Sequence, residues 1–575
     1  MKVSLKIMAL TLTILFIRAE LPAQNQYNDF KTMSQKINKL GTEYPSLCTV
    51  KSLVKTSGGK DIWLLTVGTG DKDKKPGIVV FGGVEGNNLF GKELALGFAE
   101  NLLKESANPD IKNLINSITF YVFPDVSPDA TEQFFARIKY ERSVNTRQTD
   151  DDRDFLMDED PYEDLNNDGF ITQIRVSDPT GSYIESEDDK RIMIPADLSK
   201  GQLGAYLVYS EGIDNDKDGN YNEDGEGGVN FNKNFSFNYE EFGTNAGLHP
   251  ISEVETKAVA DFLFDHFNIY ATFTFGPQDN LGQPMRAAER QGAVQSSVTG
   301  QFSGQGTGMG QGMGMGRGQG TGRPQGQEQG DRRITTILRT DETINKLVSD
   351  KYHEITGIKG APNAKNTNGN FMEWAYFHYG RYSFSTPGWW IAADRGKNAE
   401  IAFLKYAMDN KLKEVFVPWT EIKHPDFPGK KVEVGGTKPF AMINPPADTL
   451  DYLISKNYKF LTTIAAMHPE LEYLDPKVEN TGENIFRVTL KVHNKGVFAT
   501  CAEIGDNNQW TRIMRIAIEP GSGQGLLSGQ KVQRIQRLEG DKSAEFSWLI
   551  RGKGSVKINA GALNVGTITT SLELK

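Results

Sequence analysis

Three short stretches of the sequence place side-chain oxygens at alternate positions, a pattern typical of loops that wrap around a hard cation. The residues concerned are Asp150, Asp152, Asp154 and Asp158, then Asp164, Asn166 and Asp168, then Asp214, Asp216, Asp218 and Asp224. A glycine follows the second and third stretches, at Gly169 and Gly219, where such a loop turns sharply. Calcium takes about six to eight oxygen ligands, and a bound ion offsets the repulsion between the carboxylates. We therefore expect structural calcium here, with a solvated acidic loop as the alternative.

Imidazole-based metal chemistry has few candidates in this chain. The seven histidines are His249, His266, His353, His378, His424, His468 and His493. None is followed by an acid three residues later, and none begins an H-E-x-x-H motif. Catalytic zinc sites usually combine three protein ligands with a water molecule, and histidine commonly supplies at least one of them. The histidine spacing therefore argues against a familiar zinc hydrolase motif.

The elements that must position these residues alternate between strand and helix from 27 to 412. Short apolar runs bounded by turn residues predict strands at 61–67, 77–82, 118–123, 269–275 and 381–386. Leu94, Phe98 and Leu102 recur every four residues and predict a helix between two of these strands. Strands separated by helices predict an α/β layer fold.

Two insertions and a change of pattern divide the chain. The first insertion, at 150–225, is acidic and shows weak periodicity. The second, at 300–331, consists largely of Gly, Gln, Met and Arg, and this composition predicts a loop without a packed core. From 431 to 575 apolar residues alternate with polar ones, as at Phe486, Val488 and Leu490. This alternation predicts a C-terminal antiparallel β-sandwich after an α/β domain at 24–430.

Composition excludes several classes of partner and scaffold. The formal net charge is -10, which argues against nucleic acid or an anionic membrane surface as the main partner. Hydrophobic residues make up 38% of the chain, enough for a real core. Cys48 and Cys501 are the two cysteines, so the chain is not a disulfide scaffold.

The N-terminus has the pattern of an export signal. Lys2 and Lys6 precede an apolar run at 7–17, and small or turn-prone residues follow it at Pro22 and Ala23. The run is shorter than a membrane span and has the length of a signal core. We expect cleavage after 1–23 and a mature protein in the periplasm, on the outer surface or outside the cell. A buried N-terminal helix is the alternative.

Four motifs in order carry a resemblance to a known family. They are GGKDIW at 58–63, PDVSPD at 124–129, GVNFNKNF at 228–235 and GLHPISEVET at 247–256. Together they resemble motifs of the M14 zinc carboxypeptidases, in the branch with an acidic insertion and a C-terminal β-sandwich. The resemblance implies a mixed sheet flanked by helices, a zinc cofactor and hydrolysis at peptide C-termini.

The same resemblance marks positions at which the catalytic residues are replaced. The family binds zinc through an H-x-x-E pair after one strand and a histidine after another, and a glutamate acts as base. By this correspondence Glu85 and Asn88 take the places of the first pair, Phe275 that of the later histidine and Pro387 that of the base. An amide is a poor zinc ligand, phenylalanine cannot bind a metal, and proline has no group for proton transfer. Zinc, the cofactor of the family, therefore lacks its usual ligands here.

Residues for substrate binding are better preserved. Asn232 and Lys233 match an Asn-Arg pair that holds the substrate carboxylate in the family, although lysine lacks the bidentate fork of arginine. A solvated surface lysine is the alternative. Arg142 and Arg147 are both candidates for a further family arginine.

Three functions follow as hypotheses. The first is an exported, catalytically inactive homologue that binds peptide or cell-wall peptide C-termini. The second is an active metallocarboxypeptidase with a rebuilt metal site that uses Glu85. The third is a structural protein of the cell envelope.

Overall fold

A computed structural model describes residues 27–150, 157–158, 160–222, 225, 227–288, 333–363, 367–392 and 398–575. The predicted signal peptide at 1–23 and the predicted loop at 300–331 lie outside these ranges, as do Asp152, Asp154 and Asp224.

Helices and strands alternate through the first part of the chain, and strands dominate the last hundred residues. The helices are α1 (Phe30–Glu43), α2 (Leu89–Lys104), α3 (Pro109–Ser117), α4 (Pro128–Thr131), α5 (Val254–Asp265), α6 (Arg339–Thr356), α7 (Phe371–Phe377), α8 (Ala399–Asp409), α9 (Leu450–Ala465) and α10 (Glu503–Asn507). The strands are β1 (Cys48–Lys55), β2 (Asp61–Val67), β3 (Gly77–Phe81), β4 (Thr119–Phe123), β5 (Gln173–Ser177), β6 (Tyr183–Glu185), β7 (Met193–Pro195), β8 (Tyr206–Ser210), β9 (Ile269–Phe275), β10 (Tyr382–Thr386), β11 (Phe416–Ile422), β12 (Val432–Thr437), β13 (Leu471–Gly482), β14 (Ile485–Asn494), β15 (Met514–Pro520), β16 (Gly525–Ser528), β17 (Val532–Ile535), β18 (Lys542–Arg551), β19 (Gly554–Ala562) and β20 (Gly566–Leu574).

A six-stranded mixed sheet of order β1-β2-β4-β3-β9-β10 forms the centre of the α/β part. Its β4-β3-β9-β10 portion is parallel, and β1 and β2 pair antiparallel at one side. The ring of Phe98 on α2 lies 5.4 Å from that of Phe120, and the ring of Phe262 on α5 lies 5.3 Å from that of Tyr121. Since neighbouring strand residues point to opposite faces, helices cover both faces of the sheet. The predicted α/β fold is confirmed.

A second sheet joins the acidic insertion to a segment far along the chain. Its order is β11-β12-β5-β8-β6-β7, and its pairings are antiparallel. Val432 on β12 lies opposite Val176 on β5, and both side chains are fully buried. The insertion therefore contains strands, which its weak periodicity did not predict.

The β-sandwich begins later than the sequence pattern indicates. Two four-stranded antiparallel sheets, β13-β14-β18-β16 and β17-β15-β19-β20, enclose a core that includes Val488, Ile516 and Trp548. The structure corrects the predicted boundary at 430/431, because β12 belongs to the second sheet and α9 packs against α2 and α6. The sandwich starts at Leu471.

The sandwich is joined to the α/β part through Asp341 at the start of α6. The Asp341 carboxylate accepts hydrogen bonds from the backbone N–H groups of Glu503 (2.8 Å) and Ile504 (3.2 Å) on α10 and from the Tyr376 hydroxyl (2.8 Å). Arg537 of the sandwich lies 3.7 Å from the same carboxylate. A buried carboxylate with this many donors fixes the two parts against each other.

Across the ranges that the model describes, we find no helix with both the length and the apolar character needed to cross a bilayer.

Candidate functional site

A cleft of about 580 Å³ lies beyond the carboxyl ends of the parallel strands. Open α/β sheets commonly bind ligands outside these strand ends. Glu85 follows β3, Pro277 follows β9 and Pro387 follows β10, and all three side chains line the cleft. The remaining lining residues are Asn87, Asn88, Pro362, Asn363, Thr367, Trp389, Trp390, Ile391, Ala399, Phe403, Met442 and Ile443.

Glu85 is held at the cleft wall by two asparagine amides. The Asn230 Nδ2 group donates to Glu85 Oε1 at 2.5 Å, and the Asn232 Nδ2 group donates to Oε2 at 3.3 Å. Burial raises the pKa of Glu85 above its ordinary value, while these amides and the nearby charge of Lys233 act in the opposite direction. Glu85 is partly exposed, so its carboxylate faces both the protein and the cleft.

Asn88 has a structural role in this geometry. Its side-chain oxygen accepts a hydrogen bond from the backbone N–H of Gly91 at 3.0 Å and so caps α2. A Cβ atom on Gly91 would lie 2.4 Å from the carbonyl oxygen of Phe275, so the start of α2 packs directly on the end of β9. The side chain at the position of the family glutamate therefore stabilises a helix terminus.

Phe275 and Pro387 stand at the ends of two adjacent parallel strands. Phe275 lies opposite Thr386 in the register of β9 and β10, and 3% of its side chain is exposed. It belongs to the hydrophobic core, whereas Pro387 lines the cleft. Neither residue offers a donor atom for a metal or a proton.

The residues present do not fit the zinc site that the resemblance implies. At the three ligand positions only Glu85 carries a charge, since Asn88 is an amide and Phe275 has no polar side-chain atom. The histidines form hydrogen bonds elsewhere in the protein. From His249 to His493 in chain order, their partners are Pro250 O, Phe262 O, both Ile358 O and Gly282 O, Ser236 Oγ, Gly212 O, Pro469 O and Ser543 Oγ. One carboxylate without imidazole or thiolate is an incomplete donor set for zinc.

Asn232 lies beside Glu85, where its amide is fully used within the protein. Its Nδ2 group donates to Gln278 Oε1 at 2.5 Å as well as to Glu85, and its Oδ1 atom accepts from the backbone N–H of Phe371 at 3.0 Å. The side chain is 1% exposed. Asn232 therefore positions Glu85 and Gln278 and has no amide hydrogen left for a ligand carboxylate.

Lys233 faces a different pocket from Glu85. Its Nζ donates to the carbonyl oxygen of Thr244 at 3.1 Å, and it lines a polar pocket of about 350 Å³. This pocket meets the main cleft at Thr367, which lines both. Of the two predicted substrate-binding residues, Lys233 thus lines the polar pocket, whereas Asn232 is buried and lines neither space.

The two candidate arginines are engaged in structural contacts. Arg142 donates to the carbonyl oxygens of Val144 (3.1 Å) and Asn145 (2.9 Å). Arg147 forms an ion pair with Glu253 at 2.7 Å. Arg142 therefore stabilises the turn that follows it, and Arg147 ties this segment to the motif at 247–256.

A second groove of about 390 Å³ continues from the cleft, since Trp389 and Phe403 line both. Its other lining residues include Lys139, Lys413 and Lys438. Sequence analysis did not predict this groove, because its walls include segments more than two hundred residues apart. Asn230, by contrast, lies within the motif at 228–235, two residues before Asn232, so the motif was a signal for it.

The second and third acidic stretches adopt the same local geometry. Asp164 Oδ2 accepts the N–H of Gly169 at 2.8 Å, and Asp214 Oδ2 accepts the N–H of Gly219 at 3.1 Å. Both glycines have positive φ, +87° and +95°. Carboxylate oxygens of Asp214, Asp216 and Asp218 lie within 4.8 Å of one another.

The other oxygen-bearing residues are placed differently. Asn166 Oδ1 and Asp164 Oδ1 both accept the N–H of Asp168, at 2.9 and 3.1 Å. Asp158 accepts from Gln148 Nε2 at 2.9 Å and from the N–H of Gly227 at 3.2 Å, so it ties two segments together. Asp150 is the last residue of its described range and is partly buried.

Comparisons with known proteins match both parts of the chain. A family model described as zinc carboxypeptidase (Peptidase_M14) matches residues 33–387, and one described as a domain of unknown function (DUF8731) matches 470–573.

Curated relatives match over short stretches. Carboxypeptidase D from Drosophila melanogaster is 28% identical over 115 residues, which is 19% of this chain and 8% of that protein. Carboxypeptidase B from Astacus astacus is 27% identical over 103 residues, 18% of this chain and 33% of that protein. The chain thus spans a third or less of the length of these relatives.

Among solved structures, bovine thrombin-activatable fibrinolysis inhibitor in complex with tick carboxypeptidase inhibitor matches with a TM-score of 0.39 and 13% identity, covering 77% of this chain and 97% of that one. Carboxypeptidase A from Helicoverpa armigera matches with a TM-score of 0.38 and 12% identity, covering 77% of this chain and 74% of that one.

Proposed function

Because this chain belongs to the zinc carboxypeptidase family, we propose that it is an exported member that binds peptides without hydrolysing them. The observation that carries the proposal is the state of the four family positions. Glu85 is bonded to two amides, Asn88 caps a helix, Phe275 is in the core and Pro387 has no titratable group. Loss of each such group costs an enzyme orders of magnitude in rate, and here all four are replaced.

The cleft itself supports a binding role. It keeps a volume of about 580 Å³ and an apolar, aromatic lining, which is the usual character of ligand pockets. Aromatic and proline side chains offer a rigid surface for an extended peptide. We therefore propose that the peptide binds in this cleft. We also propose that the protein meets its ligand in the cell envelope or outside the cell.

An active enzyme with a rebuilt metal site is the second candidate. It would require further carboxylates or imidazoles to converge on Glu85. Among the cleft-lining residues within the described ranges, Glu85 alone carries a formal charge. This observation favours the non-catalytic proposal, and a measured affinity for peptides separates that proposal from a purely structural envelope protein.

We also propose that the acidic insertion binds calcium. The repeated carboxylate-to-glycine hydrogen bond of the two loops and the clustered oxygens of Asp214, Asp216 and Asp218 support it. Hard cations with several oxygen ligands suit such loops. The ion would brace the second sheet and would take no part in the cleft.

The test begins with the metal content of the purified mature chain after incubation with zinc and calcium and removal of free ions. We expect calcium without zinc, and no release of C-terminal residues from peptide substrates. One equivalent of zinc that disappears in a Glu85→Ala variant would overturn the proposal. Glu141→Gln is the matched control, since Glu141 is exposed and lies outside the cleft lining, and glutamine can still accept from the Asn87 amide or the Phe440 N–H that Glu141 now bonds.

A further inference from the structure

Glu85 places a negative charge in the cleft, where a bound zinc ion would place a positive one. We propose that the cleft selects ligands with a positively charged amine, which pairs with the Glu85 carboxylate, so that a bound peptide enters with a free amino group. This inference rests on the proposed peptide-binding function and specifies its ligand class.

The first support is the remaining acceptor capacity of Glu85. An ionised carboxylate can accept about four hydrogen bonds through its two oxygens. The amides of Asn230 and Asn232 and the hydroxyl of Ser143 use part of this capacity and leave about one acceptor position. Because the side chain is partly exposed and lines the cleft, this remaining position is open to a ligand donor.

The second support is the character of the surrounding wall. Trp389 and Trp390 line the same cleft, and indole rings attract ammonium groups through their faces. Pro277, Pro362 and Pro387 add apolar surface, which lowers the local dielectric and strengthens an ion pair with Glu85. A ligand carboxylate in the same place would meet a like charge and lose its hydration.

The third support is the excess of positive charge in the adjoining groove, which Lys139, Lys413 and Lys438 line together with Glu414. The Nζ atoms of Lys139 and Lys438 lie over the rings of Phe134 (5.9 Å) and Phe170 (4.1 Å). Since Trp389 lines both the groove and the cleft, one ligand can contact both. The charges fit a peptide with its amine at Glu85 and an acidic group toward the lysines.

Three small probes of matched shape test the charge preference directly by calorimetry. They are phenethylamine, 2-phenylethanol and 3-phenylpropionate, which carry positive, zero and negative charge on similar frameworks. We expect the amine to bind about tenfold more tightly than the alcohol, as one buried ion pair with ring contacts would give, and the acid to bind weakest. Equal or tighter binding of the acid overturns the inference.

Variants locate the effect. Glu85→Gln should weaken amine binding about tenfold and leave alcohol binding unchanged, since it removes the charge and keeps the shape. Glu141→Gln removes a neighbouring charge outside the cleft lining and should leave both probes unaffected. Circular dichroism checks that each variant is folded, and Trp389→Leu should reduce amine binding more than alcohol binding. Unchanged amine binding in folded Glu85→Gln overturns the inference.

Tri-alanine and its N-acetyl derivative separate this inference from the proposed function. Binding of tri-alanine that is lost on acetylation and weakened by Glu85→Gln supports both. Equal binding of the two peptides, unaffected by Glu85→Gln, leaves peptide binding intact and overturns the amine preference. Bound zinc with hydrolysis of tri-alanine overturns the proposed function itself.

Discussion

Glu255 on α5 is buried beside a small cavity that Asp129, Glu253 and Ser127 also line. Within the described residues, neither of its carboxylate oxygens accepts a hydrogen bond of normal geometry, although the backbone N–H groups of Ser57 and Glu255 lie close. Burial is the main cause that raises its pKa, from an ordinary 4.5 to about 7. The folded protein therefore holds a proton at Glu255 that the unfolded chain releases at lower pH.

This difference predicts the effect of Glu255→Gln on stability. The wild-type fold binds the proton more tightly, so its stability is greatest below the unfolded pKa and falls as pH rises from 4.5 to about 7. Glutamine stays neutral, so the variant should be more stable than the wild type above pH 7, by up to about 3 kcal/mol, with much less difference in acid. Urea unfolding at both ends of this range measures it.

The control for this prediction is Glu241→Gln, at an exposed loop position. It should follow the wild type at every pH. A Glu255→Gln variant with the same pH dependence as the wild type would show that the proton is held elsewhere.

At the scale of elements, the acidic loops lie next to strands of the second sheet. Asp164–Gly169 precedes β5, and Asp214–Gly219 follows β8, which pairs with β5. An ion in either loop would therefore stabilise the pairing of those strands.

We expect calcium to raise the free energy of unfolding by about 3 kcal/mol at a hundredfold excess over its Kd, since it binds the folded loops preferentially. Asp214→Asn with Asp216→Asn should abolish most of this gain, whereas Asp188→Asn, at an exposed position outside the loops, should not. Thermal unfolding with calcium and with a chelator measures it. Equal midpoints in both conditions would contradict the proposal of a structural calcium site.

The local sequence pattern predicted the strands of the central sheet but not the pairing of the second sheet. The apolar runs at 61–67 and 269–275 coincide with β2 and β9; β9 is buried along its whole length, and β2 has one face that is more exposed. The pairing of β12 with β5 joins residues about 250 positions apart, which no local period reveals.

The residues of the candidate site were also predictable from the sequence only in part. Motif order placed Glu85, Asn88 and Pro387 at the cleft, because the loops after parallel strands converge at one edge of the sheet. Gln278, which accepts from Asn232, and the walls at Met442 and Ile443 depend on long-range packing. The sequence likewise could not predict that Glu85 and Gln278 accept both hydrogens of the Asn232 amide.

For the whole molecule, Asp341 is the central contact between the α/β part and the sandwich. Asp341→Ala removes the acceptor for two backbone N–H groups, for the Tyr376 hydroxyl and for the charge of Arg537. We expect a loss of about 3 kcal/mol, because the two N–H groups and the Tyr376 hydroxyl lose this acceptor, whereas Arg537 keeps its bonds to Cys501 O and Glu539. Calorimetry should then resolve separate unfolding of the two parts.

Asp350→Ala on the same helix is the control, since Asp350 pairs with Lys346 at the exposed surface. It should leave a single transition at nearly the wild-type temperature. Retention of one transition in Asp341→Ala would show that other contacts couple the two parts.

The helix cap at Asn88 bears on which substitutions the base of the cleft can accept. Glutamate at 88 would have to replace the bond to the Gly91 N–H, and histidine at 85 would leave the amides of Asn230 and Asn232 short of acceptors. Each of these substitutions would therefore cost stability before any set of metal ligands is complete. The fold thus opposes change at the base of the cleft more strongly than at its rim.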